Sequence, residues 1–296
     1  MMIQCLAILH PNSTYRGYLM KKVLITGAGG QLGSTLAVQS VLYDVFSFNK
    51  KQLNVVNKQE VFQVFKAIKP HFVIHTAAYT NVDESEVNKR IAFEVNCDGT
   101  ENIALACKKW DSVMIYMSTD YVFDGKKKEP YTEEDVPNPV NWYGLTKLIG
   151  EETVKVLLDK YFILRTSWLY GPSGKNFVKT ILEMAETSLE IKVVNDQMGC
   201  PTYVKDLCKV IFQLIEVNGY GIYHASNVGV CSWYDFANSI LKMSGNKETF
   251  LLPISSEELN RLAIRPHNSA LQNTKSVYTM PEWKEALEDF MKTDHE

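Results

Sequence analysis

Residues 21–33, KKVLITGAGGQLG, constrain the fold more than any other stretch of the chain. A run of aliphatic and β-branched residues leads straight into Gly27, Gly30 and Gly33, and a helical pattern follows from Gln31 to Leu42. Strand, glycine turn and helix in that order form the opening unit of a sheet wound with crossover helices. Gly27 permits the tight turn, Gly30 lets the backbone approach a pyrophosphate, and Gly33 lets the helix pack closely on the strand. The helix start at Gln31 and Leu32 offers unpaired N–H groups to an anion. The G-x-x-G-x-x-G spacing is a variant of the G-x-G-x-x-G device and points to a bound dinucleotide.

The same alternation continues along the chain. KKVLIT, DVFSF, HFVIHT, SVMIYMST and YFILRTS are separated by segments with apolar residues at helical spacing. Near-continuous apolar strands between helices predict a parallel sheet covered on both faces, a doubly wound α/β fold of the Rossmann type. Beyond about Thr166 the rhythm becomes irregular, with loops and short strands between three more helices, which predicts a smaller C-terminal substrate-binding lobe. The expected organisation is an extension without assigned function at 1–19, a dinucleotide-binding domain with the catalytic helix at 20–165, and a lobe at 166–296 from which some segments return to the first domain.

Charge and cysteine usage narrow the class. Lys and Arg number 31 against 34 Asp and Glu, so the net charge of −3 makes no broad basic field for nucleic acid or anionic lipid. No apolar run approaches the roughly 18 residues needed to span a bilayer, and the opening MMIQCLAILHPNSTYRGYL lacks the leading positive charge and cleavage site of a signal peptide. A cytoplasmic protein with no nucleic-acid or membrane partner is expected. Cys5, Cys97, Cys107, Cys200, Cys208 and Cys231 form no C-x-x-C pair and read as small buried apolar residues.

Tyr143 and Lys147, in NWYGLTKLIGEE, stand four residues apart on a predicted helix and therefore share a face. A phenol of ordinary pKa is a poor proton shuttle at neutral pH, and a neighbouring ammonium favours its ionised form. Strand four ends in Ser118, Thr119 and Asp120, at the carboxyl edge where open α/β sheets bind ligands. The Thr119 hydroxyl at that edge can polarise a carbonyl that Tyr143 protonates as hydride arrives. After the second strand stand Asn49, Lys50 and Lys51, where an NAD-specific site would hold an acid; neutral and cationic groups there accept a 2′-phosphate, so NADPH is expected, with NADH also accepted. His71 and His75 flank the third strand and read as structural histidines. The residues by themselves reach a nicotinamide-dependent carbonyl reductase.

Glycine turn, strand-four hydroxyl and Tyr–Lys pair together resemble the extended short-chain dehydrogenase/reductase superfamily. HTAAYTNVDESE (75–86), VNCDGTENIA (95–104), STDYVFDG (118–125), PYTEEDVPNPVNWYGLTKLIGE (130–151), RTSWLYGPSGKNFV (165–178), NDQMGCPT (195–202), YHASN (223–227), SWYDFA (232–237) and RPHNSAL (265–271) resemble the dTDP-4-dehydrorhamnose reductase family over the chain from Met20 onward. The resemblance implies reduction of the C4 ketone of dTDP-4-dehydro-L-rhamnose to dTDP-L-rhamnose. It makes Tyr143 the proton donor, Lys147 the residue that holds the nicotinamide ribose, Thr119 the ketone ligand and Asp120 an acidic partner near the sugar. It sets Asn54, Ala77, Ala78, Tyr79 and Asn96 with the cofactor. Val82, Asp83, Trp168, Lys175, Asn176, Gln197 and Arg265 fall with the substrate, Arg265 by its forked donors for an anion.

Two departures carry expectations of their own. Asn54 stands where relatives often have aspartate, so it brings a hydrogen-bonding group without charge. Ser34, Thr35 and Leu36 occupy the part of the first helix where some relatives place a magnesium-binding glutamate, so no required metal and a monomer or weak homodimer are expected. A sugar-nucleotide epimerase or another reductase shares the fold and the Tyr–Lys pair, and a non-catalytic regulatory subunit is built on the same scaffold. A 4,6-dehydratase needs a further acid after Thr119 and Asp120, and here Tyr121 follows.

Overall fold

The computed structural model describes residues 20–39, 42–217, 219–275 and 279–293. The segment 1–19, with Cys5, lies outside the described residues. In chain order the first half runs β1 (Lys22–Thr26), α1 (Gln31–Gln39), β2 (Asp44–Phe48), α2 (Lys58–Ile68), β3 (Phe72–His75), α3 (Val82–Val87), α4 (Lys89–Phe93), a π-helical segment (Glu94–Asp98), α5 (Gly99–Trp110), β4 (Val113–Thr119), a 3₁₀ turn (Asp120–Val122), α6 (Trp142–Leu157) and β5 (Tyr161–Thr166). The second half runs β6 (Leu169–Tyr170), α7 (Phe177–Thr187), β7 (Glu190–Val194), β8 (Met198–Gly199), β9 (Thr202–Tyr203), α8 (Val204–Ile215), β10 (Gly221–His224), β11 (Cys231–Ser232), α9 (Trp233–Met243), β12 (Phe250–Ile254) and α10 (Trp283–Thr293). Leu42 already stands in the turn before β2, so α1 is described only to Gln39.

Six strands form one parallel sheet in the order β10-β5-β4-β3-β1-β2. The five apolar runs read from the sequence all lie in it, and β10, from the second half, extends one edge beyond β5. Strand residues alternate between two apolar faces, as a sheet covered on both sides requires. Val23 and Ile25 of β1 face one core cluster and Leu24 the other; Tyr116 of β4 and Ile163 of β5 join Leu24, whereas Ile115 and Leu164 join Val23. The cluster containing Val23 runs without a break into Tyr170, Ile191, Phe236, Trp283 and Phe290, so the two halves share one apolar core.

The strand order reverses between β1 and β3, and the crevice beyond their carboxyl ends is where ligands of such sheets bind. Gly27 turns out of β1 at φ +71°, and a Cβ there would stand 2.6 Å from the Ala77 nitrogen beyond β3. Helix α6 is fixed over the ends of β4 by three devices. Asn141 caps it, its side chain accepting from the Gly144 nitrogen at 2.8 Å while donating to the Ile264 carbonyl at 2.9 Å. Gly144 packs so tightly that a Cβ would collide with the Tyr121 carbonyl, and one at Gly150 would collide with the Tyr116 hydroxyl.

Candidate active site

The fold brings Thr119, Asp120, Tyr143 and Lys147 together at the carboxyl end of β4. The Thr119 hydroxyl donates to Asp120 Oδ1 at 2.9 Å, and its oxygen is left to accept from the Tyr121 nitrogen at 3.2 Å and to meet the phenol of Tyr143. Asp120 is 3% exposed, and its other oxygen accepts from Ser269 Oγ at 2.5 Å. Burial pushes the Asp120 carboxyl up to about 7 despite those bonds, and pushes the Tyr143 phenol up to about 12. The phenol therefore enters the site protonated, as a donor. Burial also brings Lys147 down to about 7, opposed chiefly by the charge of Glu151. Its Nζ lies 4.1 Å from the centre of the Tyr116 ring, and among the described residues it meets no hydrogen-bond acceptor.

Beneath these groups lies a second buried constellation. Arg165 on β5 reaches Glu151 on α6 with two bonds, Nε to Oε1 at 3.0 Å and Nη2 to Oε2 at 2.7 Å, and Ser118 Oγ donates to the same Oε1 at 2.5 Å. His75 is bonded on both ring nitrogens, by Thr26 at 2.7 Å and Thr100 at 3.3 Å. Burial and the Lys147 charge hold it down to about 3, a neutral structural ring. His71 accepts from the Lys22 nitrogen at 2.9 Å at the start of the strands.

The residues expected at the dinucleotide line the crevice between β1, β2 and β3. Gly33 packs on the turn, where a Cβ would collide with the Gly27 carbonyl, whereas one at Gly30 would meet only that carbonyl at 3.4 Å. Leu32 is buried in the core. Gln31 donates to the Lys175 carbonyl at 3.2 Å, and its Oε1 is buried without a partner. Asn49 closes a turn by accepting from the nitrogens of Lys51 and Gln52, which leaves Lys50 and Lys51 exposed beside the glycine turn. Asn54 is exposed, its Oδ1 accepting from the Val56 nitrogen at 3.2 Å. Ala77, Ala78 and Tyr79 are half-buried after β3. Asn96 has both ends of its amide occupied, by the Tyr79 backbone and by Thr146, and so holds that loop in place. An open Gly30, a helix start with unpaired N–H groups and a buried ammonium lacking an acceptor suit a nicotinamide dinucleotide, with Lys147 available to its ribose hydroxyls.

The other residues expected at the substrate lie in four places. Arg265 clamps Asp83 with bonds of 2.5 and 2.6 Å, and the Ala263 nitrogen adds a third at 3.0 Å; the guanidinium lowers the Asp83 carboxyl to about 2. Val82 is half-buried beside Asp83 at the start of α3. Asn176 caps α7 by accepting from the Lys179 nitrogen and donates to the Gly171 carbonyl, so its polar atoms are engaged within the chain, while Lys175 is exposed near the glycine turn. Trp168 adopts φ +47° and lies stacked on Trp233, ring centroids 3.5 Å apart, with Gly199 against the indole. Gln197 is buried immediately before β8.

Comparison with known proteins bears on this arrangement. The family described as RmlD substrate binding domain matches residues 20–295. A dTDP-4-dehydrorhamnose reductase of Aggregatibacter actinomycetemcomitans is 38% identical over 91% of this chain and 98% of its own. The chain belongs to the dTDP-4-dehydrorhamnose reductase family. The spore coat polysaccharide biosynthesis protein SpsK of Bacillus subtilis is 40% identical over 92% of this chain and 97% of its own. The crystal structure of the Bacillus anthracis dTDP-4-dehydrorhamnose reductase in complex with NADP superposes with a TM-score of 0.90 at 44% identity, covering 93% of this chain and all of that one.

Several participants escaped the sequence reading. Ser269, which bonds Asp120, lies 149 residues from it, and its only signal was its place within RPHNSAL. Glu151 and Arg165 were visible as charges in otherwise apolar or helical patterns, but nothing local paired them. Trp233 gave no sign of its stack on Trp168.

Proposed function

We propose that this chain reduces the C4 ketone of dTDP-4-dehydro-L-rhamnose to dTDP-L-rhamnose, with NADPH as the preferred reductant and NADH also accepted. The observation that carries the reading is the hydrogen bond of Tyr143 with Thr119, which is itself bonded to Asp120, a helical turn from the buried Lys147. When bound, the nicotinamide supplies the hydride. Tyr143, protonated at neutral pH, gives its proton to the ketone oxygen. Thr119 orients that oxygen: an ionised Asp120 carboxylate accepts the Thr119 hydroxyl hydrogen, whereas Asp120, near its midpoint at neutrality, when protonated releases that acceptance and leaves the Thr119 hydroxyl free to donate to the ketone. Lys147 binds the nicotinamide ribose and favours the phenolate that Tyr143 becomes. Exposed Lys50 and Lys51 support the preference for a 2′-phosphate. Trp168 and Arg265 are assigned to the sugar and the diphosphate, and a monomer or weak homodimer without a required metal completes the reading. Among the described residues, no helix is long and apolar enough to cross a membrane.

The test follows NADPH oxidation at the nicotinamide absorbance band with dTDP-4-dehydro-L-rhamnose as substrate. Tyr143→Phe is expected to lower kcat at least about a hundredfold, the usual contribution of a positioned acid, with NADPH affinity retained. No turnover by a folded wild-type protein that binds NADPH would overturn the substrate assignment.

A further inference from the structure

Three charged side chains are buried in succession beneath the reacting groups. Lys147, Glu151 and Arg165 are 2%, 0% and 2% exposed. Helix geometry puts Lys147 and Glu151 on one face of α6, a turn apart. Glu151 is fixed there, since Arg165 takes both of its oxygens and Ser118 takes one of them again. Ser118 and Arg165 are register partners on β4 and β5, and the guanidinium lies 5.1 Å from the Phe123 ring. The carboxylate thus cannot swing away from the helix face that carries Tyr143 and Lys147.

We infer that Glu151 is a positioning residue for the proposed reduction: clamped by Arg165 and Ser118, its carboxylate supplies the buried negative charge that keeps Lys147 an ammonium. The inference rests on the reading of Tyr143 and Lys147 given above. Burial opposes a charged lysine, and a neutral amine would neither favour the Tyr143 phenolate nor donate as fully to ribose hydroxyls. Among the described residues, no other group facing Lys147 supplies the countercharge. Tyr116 on β4 presents a ring face, His75 on β3 is neutral, Cys97 on the π-helical segment has its thiol pushed up to about 12 by burial, and the Tyr143 phenol stands at about 12 as well. Arg165 on β5 is itself cationic. Glu151 is first among the groups that offset the burial of Lys147.

The test reads Lys147 directly, on the full chain without substrate or cofactor. Lysines labelled with ¹³C at Cε are titrated by NMR, the Lys147 signal being assigned by its loss in Lys147→Met. In Glu151→Gln the Lys147 midpoint is expected to fall by about one to two pH units, the range that a nearby opposite charge imposes. The alkaline limb of the kcat/KM profile should fall with it. Glu151→Gln leaves Arg165 buried without its partner, so the double variant Glu151→Gln/Arg165→Met is measured beside it; removing the pair as a unit spares the uncompensated charge and should give a smaller downward shift, because the cationic repulsion of Arg165 leaves with the carboxylate. A midpoint unmoved in folded Glu151→Gln, or raised in the folded double variant, would reduce Glu151 to a structural ion pair and overturn the inference. So would a moved midpoint with an unmoved kinetic limb. Absence of turnover by the wild type would count against the substrate reading alone, because the titration still decides for or against Glu151.

Discussion

Burial acts on Asp120 and Lys147 in opposite senses and brings both to about 7. An ordinary carboxyl titrates near 4 and an ordinary ammonium above 10, so each residue holds its functional protonation state at the expense of stability. For Asp120 the native protein binds its proton more tightly than the unfolded chain does. The folded form is then favoured at low pH and loses that advantage as pH rises from about 4 to about 7. Asp120→Asn does not titrate in that window. Its Tm relative to wild type is therefore expected to climb between pH 5 and pH 8 by several degrees, corresponding to a penalty on the order of a few kcal/mol at full ionisation. Scanning calorimetry of both proteins across that range checks this; a difference independent of pH would mean that Asp120 ionises in the folded protein as easily as in water.

Among the elements, the glycine turn separates residues that serve folding from one that serves a ligand. A Cβ on Gly33 collides with the Gly27 carbonyl, whereas one on Gly30 finds only ordinary contact, and Gly30 has no left-handed backbone to preserve. Gly33→Ala should cost about 1–3 kcal/mol by forcing α1 off the turn. Gly30→Ala should leave Tm within about a degree while weakening NADPH binding at least tenfold, because the new methyl occupies the surface that the pyrophosphate approaches. Thermal unfolding beside fluorescence titration with NADPH separates the two effects, and equal losses of stability would remove the distinction. The turn was legible in the sequence because strand, glycines and helix are contiguous, and Tyr143 and Lys147 were legible because helix periodicity alone puts them on one face. Asn96 was legible only as a motif position: its amide is spent on the Tyr79 backbone, 17 residues away, a role that local pattern does not encode.

For the molecule as a whole, the site exists because residues 261–271 return across the sheet edge. Within that stretch Ala263 and Arg265 hold Asp83, Ile264 meets the cap of α6, Pro266 packs against Gly125 at φ +78°, and Ser269 reaches Asp120. These contacts span 123 to 182 residues of sequence, which is why the composition of RPHNSAL suggested an anion ligand while its partners stayed hidden. Arg265 consequently carries two assignments, a clamp on Asp83 and a contact to the substrate diphosphate, and a double-mutant cycle tells them apart. Breaking a half-buried ion pair from one side leaves a partly desolvated charge, so Arg265→Met and Asp83→Asn should each cost about 1 kcal/mol, solvent screening of the partly exposed Asp83 reducing the loss, and Arg265→Met/Asp83→Asn should recover part of it. If Arg265 also meets the diphosphate, Arg265→Met raises KM for the nucleotide sugar at least tenfold whether residue 83 is Asp or Asn, with kcat changed less. If the rise in KM disappears in the Asp83→Asn background along with the instability, Arg265 acts only by holding α3, and the diphosphate must be met by other groups, Lys175 foremost among them.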